Sequence, residues 1–292
     1  MSNRRDFLKQ TLAPAGALCI GILPETTTTA DKEPSPLSQK LKSLTRSTSW
    51  QLVDQIKVNF MTFHCQGMVK IGNEFWVSSV DIQEKKGHLF QIDAKGNLLA
   101  DIPVGEGAIY HPGGIDFDGK HIWIAAAEYR PDSNSIIYYF DPATKKLTES
   151  FRWQDHIGGI LRNPDTNTLH GITWGSRRMY EWDTDKKTHS MILNPAHYID
   201  FQDNQYLGNN EILFTGLSAF KKPDGARFVL GGFEIHDCKM HLPLHQVPLN
   251  LWSPATGAII SQNPSWFELA GEKVRAHFMP DDNDSTIFIY EA

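Results

Sequence analysis

The stretch IYHPGGIDFDGKHIWIAAAEYR, residues 109–130, decides the fold. A histidine and two glycines lead an alternating strand, Asp-Gly closes a turn, and a second alternating strand follows. Gly, Asn and Asp tolerate the positive φ that tight hairpin turns require, so the stretch reads as one β-hairpin. The hairpin recurs. It starts again at His64 (HCQGMVKIGNEFWVSSV), at His156 (HIGGILRNPDTNTLHGITW) and, with a carboxylate at its head, at Asp200 (DFQDNQYLGNNEILFTGL), at steps of 47, 45 and 44 residues.

A second hairpin follows each of the first three: HLFQIDAKGNLLADIPV, SIIYYFDPATKKLTESFRW and RMYEWDTDKKTHSMIL. Two hairpins make a four-stranded unit, and such units repeated at roughly 40–50 residues mark a β-propeller. The expected fold is all-β: a single β-propeller of four-stranded blades over residues 50–292, five blades favoured and six as the alternative. LNLWSPATGAIISQNPSW, residues 249–266, matches the second-hairpin template, and VRAHFMPDDNDSTIFIYEA, residues 274–292, reads as the last first-type hairpin. Residues 226–245 are surplus to five blades. The strand WQLVDQIKVNF, residues 50–60, is expected to complete the last blade, closing the ring and removing an open sheet edge.

Composition limits the function classes. With 292 residues, 40% hydrophobic and 21% charged, the chain can bury one large core or two modest ones. A net charge of -6 offers no basic footprint for a phosphate backbone, so nucleic acid is excluded as an expected partner.

At the N-terminus, NRRDFLKQTLAPAGALCIGILP pairs Arg4 and Arg5 with Phe7, Leu8 and Lys9 ahead of a weakly apolar run. This resembles a twin-arginine export signal, with Asn3 where Ser or Thr is usual. The resemblance implies a signal peptide over residues 1–30 cleaved after Ala30, passage through the twin-arginine export machinery, and a periplasmic or secreted protein. The apolar run is too short for a stable span, so no lasting membrane insertion is expected. That route carries folded proteins, often with a cofactor already loaded. Residues 31–49 read as a linker or N-terminal arm with one short helix at SPLSQKLKSL. The exported chain keeps Cys65 and Cys238, whose pairing sequence alone does not decide.

The blocks HCQGM, YHPGGIDFDGKHIWIAAAEYRP and FMPDDNDSTIFIYE resemble an uncharacterised family of exported proteins, a domain of unknown function. More distantly the chain is similar to gluconolactonase and arylesterase propellers, which hold a divalent cation in the central channel. The first resemblance brings no activity with it. The second implies lactone or ester chemistry, without a ligand set that maps onto this sequence.

The first strand of a propeller blade lines the central channel, so His64, His111, His156 and Asp200, heading four consecutive blades, should converge on one axis. Three imidazoles and a carboxylate can hold a divalent metal ion and leave a position for water or substrate. His277 is a reserve ligand. A repeated histidine serves equally well as a purely structural device that hydrogen-bonds neighbouring strands. Gln66 and Gln202, two residues past His64 and Asp200, share their strand face and are expected to contact a ligand; Gly113 and Gly158 take that place in the other blades. Loops on the same face contribute Glu128 as an acid or base, Arg177 as an anion contact, and Arg130 and Trp174 as ligand contacts. Two functions follow: a metal-dependent hydrolase or lactonase acting on a small organic molecule, or a non-catalytic propeller that binds a small ligand or protein partner.

Overall fold

A computed structural model describes residues 33–292; the export signal expected over residues 1–30 lies outside the described residues. The chain enters through a helix, α1 (Pro36–Ser43), whose Ser35 hydroxyl caps the Ser38 amide. Far from being a free linker, this arm is docked. Leu41 and Leu44 pack among Leu213, Phe233 and Phe278, and Ser38 and Lys42 both bond the Glu211 carboxylate.

The strand β1 (Gln51–Lys57) comes next. It is followed by β2 (His64–Ile71), β3 (Glu74–Asp81), β4 (Lys86–Ile92) and β5 (Leu98–Val104), hydrogen-bonded in that order as one sheet. Strands β6 (Ile109–Phe117), β7 (Ile122–Glu128), β8 (Ser135–Asp141) and β9 (Lys146–Trp153) repeat the pattern, as do β10 (Ile157–Asn163), β11 (Thr168–Thr173), β12 (Arg178–Asp183) and β13 (Thr188–Leu193). A single parallel pairing, Gly159 with Gly114, joins these two sets. Then come β14 (Asp200–Gly208), β15 (Glu211–Lys221), β16 (Arg227–Asp237) and β17 (Leu242–Leu249). Finally β18 (Ser265–Ala270), β19 (Lys273–Phe278) and β20 (Thr286–Glu291) form a sheet whose outermost strand is β1, paired antiparallel to β20. The fold is an all-β, propeller-like array of four-stranded antiparallel sheets, and β1 covers the edge that β20 would otherwise expose.

Two assignments from sequence are corrected. The outer hairpin of the fourth set is β16–β17, the segment that reads as surplus, while SPATG forms a turn closed by the isolated Trp252–Ile259 bridge. Its β-alternation is real but belongs to longer strands than the repeat template allows. In the last set the innermost strand is β18, because the tight turn at Gly271, with φ of 61°, starts a hairpin earlier than His277. Cys65 and Cys238 are both free and buried, in separate core clusters.

The innermost strands β2, β6, β10, β14 and β18 meet around one carboxylate. Asp203 on β14 accepts the backbone N–H groups of Met68 (3.0 Å), Ser265 (3.0 Å), Ile115 (3.2 Å) and its neighbour Asn204 (2.9 Å). The Asn204 amide donates to the Ile160 carbonyl at 3.1 Å. One dipeptide therefore reaches every other inner strand. Burial pushes the Asp203 carboxyl well above the usual range, against four N–H donors that favour the anion.

Candidate functional site

Just above this hub the inner strands open into a cup of about 180 Å³, lined by His64, Gln66, His111, Tyr129, His156 and Gly158, and closed by Thr173 to Gly175 and Asp200 to Gln202. The heads of four inner strands do converge. A register irregularity recurs two residues inside each head: at Gln66 on β2, over Pro112–Ile115 on β6, at Gly158 on β10 and at Gln202 on β14. Bulges of this kind stop the ladder and re-aim side chains, which is how Gln66 and Gln202 come to face the cup.

The two glycines at the bulge position differ. A Cβ on Gly113 would stand 2.0 Å from the Gly158 carbonyl oxygen, whereas on Gly158 its nearest neighbour is the Trp174 nitrogen at 3.6 Å. Gly113 serves strand packing; Gly158 leaves room in the cup.

The imidazoles are ordered by their partners. His156 Nδ1 lies 2.9 Å from the Arg130 carbonyl, which only accepts, so that nitrogen carries the proton and Nε2 is the acceptor. His111 Nδ1 lies 3.3 Å from this Nε2 and therefore donates to it, which places the lone pair of His111 on Nε2. Burial, reinforced by the neighbouring His156 and His64, holds the His111 pKa well below the ordinary value; burial also lowers His156, against its bond to Arg130. Both rings are thus neutral.

His64 follows the same logic with a different partner. Its Nδ1 meets both oxygens of Asp282 at 3.0 Å, and Asn263 holds Asp282 from behind at 3.0 Å. Nε2 has no hydrogen-bond partner among the described residues, on a side chain that lines the cup. Asp200 accepts the Ser176 hydroxyl at 2.7 Å, and burial raises its pKa. The His111 lone pair and the Asp200 carboxyl therefore give the cup hydrogen-bond acceptors, with His64 Nε2 beside them. Trp174 and Tyr129 supply ring walls: the indole lies edge-on to His156 at 4.7 Å, and Tyr129 edge-on to His111 at 4.6 Å.

Other sequence candidates fall outside the cup lining. Glu128 is held by Arg130 (2.7 Å) and the Asn134 amide (2.8 Å), bonds that keep its carboxyl below the usual range and tie it to its own loop. Arg130 serves the cup through its carbonyl. Arg177 donates to the Trp174 carbonyl at 2.7 Å and to the Pro131 carbonyl at 3.1 Å, so it braces the wall instead of facing a ligand. His277 sits on β19, buried against Phe75 and bonded to Glu268 at 3.0 Å. Among the described residues no set of three or more His, Cys, Asp or Glu side chains is arranged to hold a metal ion.

Sequence reading missed Asp282 and Tyr129. Asp282 reads as part of an acidic turn, PDDNDS, with no hint that it faces a histidine 218 positions away. Tyr129 sits beside Glu128 and Arg130 and is overshadowed by their charges.

No curated protein matches this sequence. Among solved structures, the major Malassezia sympodialis allergen Mala s 1 superposes with a TM-score of 0.54 at 8% identity, over 82% of this chain and 96% of the allergen. The Neurospora crassa Pan2 WD40 domain gives 0.45 at 9% identity, over 83% and 95%. The tail fibre of Staphylococcus aureus phage P68 gives 0.49 at 9%, over 84% of this chain but 53% of the fibre, so the chain spans about half the length of that relative. These are similarities of fold alone. The profile of a family of unknown function, DUF6454, matches residues 30–292, and the chain belongs to that family.

Proposed function

We propose that the cup binds a small organic molecule rich in hydrogen-bond donors, such as a polyhydroxylated ring or a small amine. The carrying observation is the proton order along Arg130, His156 and His111, which leaves an imidazole lone pair at the cup beside that of His64. A donor-bearing ligand satisfies those acceptors; Trp174 and Tyr129 cover its apolar faces. The test is calorimetric titration of the full chain with monosaccharides, sugar lactones and small amines, beside Gly158→Leu, which fills the cup. At least one class should bind the native chain and not the variant. Equal binding by both, or by neither, sinks the reading.

A second reading is hydrolysis of a lactone or ester in the same cup. Asp282 fixes the Nδ1 proton of His64, so Nε2 is the group positioned to take a proton from water attacking a carbonyl. His64→Gln should then abolish turnover of a lactone that still binds. No step is routed through a metal. Elemental analysis of protein purified without a histidine tag, repeated with His111→Ala, tests the metal-dependent version: stoichiometric metal lost in the variant establishes it.

The proposal extends to location. Arg4 and Arg5 support export through the twin-arginine machinery, with the cup in the periplasm or outside the cell as the proposed location. Fractionation of cells expressing the chain and its Arg4→Lys/Arg5→Lys variant checks this, with the variant expected to stay in the cytoplasm.

A further inference from the structure

Strands β15 and β16, eleven residues each, outrun their neighbours. The inner strand β14 stops pairing at Asp200, opposite Leu217, and the outer strand β17 stops at Leu249, opposite Gly231. Beyond that line Ser218–Lys221 and Leu230–Arg227 pair only with each other, so a two-stranded finger rises past the level of Asp200, at the cup end of the sheet. Two-stranded ribbons are marginal alone.

The finger's composition is unusual for a solvated ribbon. Phe220 and Phe228 are direct cross-strand partners, 6.2 Å apart between ring centres, and each is about half exposed, at 51% and 50%. They flank Lys221, Lys222 and Arg227, none of which forms an ion pair among the described residues. The one carboxylate at the tip, Asp224, caps the Ala226 amide. A chain of net charge -6 thus concentrates a local cationic excess around an exposed aromatic pair. On the same end of the sheets, Leu193, opposite Arg178, and Trp252, just past Leu249, are exposed at 72% and 48%.

We propose that this finger docks the cup face onto an anionic lipid bilayer, with Phe220 and Phe228 entering the headgroup region and Lys221, Lys222 and Arg227 meeting lipid phosphates. A convex tip with aromatic side chains and flanking cations complements a deformable, negatively charged apolar layer. A protein partner is less well matched, because a tip of about ten residues falls short of the 20–30 residues a side that stable protein interfaces use. The contact is peripheral: no helix among the described residues is long and apolar enough to cross a membrane. It goes beyond the binding proposed for the cup and does not depend on it.

The experiment is co-sedimentation of the full chain with vesicles of phosphatidylcholine alone and of phosphatidylcholine mixed with phosphatidylglycerol. The native chain should pellet with the anionic vesicles, less so as salt rises, and not with the neutral ones. Phe220→Ala/Phe228→Ala should abolish pelleting, and Lys221→Glu/Lys222→Glu should weaken it by at least about twentyfold, each cation being worth about fivefold. Both variants lie outside the core, and their circular dichroism and melting should match the native chain. No pelleting, pelleting indifferent to both variants, or Phe220-dependent capture of a protein from lipid-free extract without vesicle binding overturns the proposal.

Discussion

Two polar clusters sit on the same inner strands, three residues apart along β14, and they are finished differently. At Asp203 four backbone N–H groups find carboxylate oxygens, and the Asn204 amide donates to the Ile160 carbonyl. At Asp200 the neighbouring imidazoles end in lone pairs that face a cup. A saturated buried network holds strands together, whereas acceptors left over at an opening stay free to meet solvent or a ligand. The repeated His heads contribute to the second kind, although His156 also does structural duty by bonding the Arg130 carbonyl.

The hub is where this comparison breaks most violently. Asp203→Ala strands four backbone N–H groups in a place water does not reach, and should cost about 4 kcal/mol or prevent folding, read as a fall in the urea midpoint. An Asp203→Ala chain that unfolds like the native one would show that the axis is held by apolar packing instead. Next comes Gly113→Ala, whose new methyl meets the Gly158 carbonyl; about 3 kcal/mol should be lost as β6 and β10 are forced apart.

A third cluster sharpens the rule, being both buried and unsatisfied. Between β16 and the segment before β14, one Glu234 oxygen, both His236 nitrogens and the Tyr198 hydroxyl have no hydrogen-bond partner among the described residues, His236 Nε2 standing 3.7 Å from that Glu234 oxygen, while Gln246 holds the other Glu234 oxygen. Burial raises the Glu234 carboxyl to about 7 and, with His241 nearby, lowers His236 to about 4. The folded chain therefore keeps a Glu234 proton that the unfolded chain releases above pH 4.5, and lacks a His236 proton that the unfolded chain carries below pH 6.5. Between those values the two effects on stability oppose each other. Glu234→Gln leaves His236 alone, so stability should rise by about 2 kcal/mol from pH 4 to 6.5, relative to the native profile. Denaturant unfolding across that range decides it, and parallel profiles would show that the pair does not titrate as described.

The sequence displays what repeats and hides what does not. His64, His111, His156 and Asp200 head equivalent strands, so the period alone locates the cup. Trp174 follows from the loop that its blade places there. Asp203 does not repeat, because one axial carboxylate serves every inner strand at once; periodicity has nothing to register. Asp282 is opaque for another reason, since its contact with His64 joins the last sheet to the first across the ring closure. The long β15–β16 hairpin misleads by exceeding the template, which shifts the outer strands of its sheet into residues that look surplus. Glu128 and Arg177 carry charge on the right loops, yet their charges are spent on loop carbonyls and on each loop's own partners.

The smallest stability effect carries the finest distinction. Gly158→Ala occupies the same repeat position as Gly113→Ala, but its methyl finds ordinary van der Waals neighbours, so stability should change by less than about 0.5 kcal/mol. What should change is the cup. Because Gly158 lies on the lining, between His156 and the Trp174 wall, the methyl takes volume from a space of about 180 Å³ without removing any acceptor. Ligand affinity should fall severalfold while the melting temperature holds, which separates a glycine kept for space from one kept for packing. If Gly158→Ala instead melts as early as Gly113→Ala, both glycines serve the axis, and the cup is the residue of tight strand convergence with no room reserved in it.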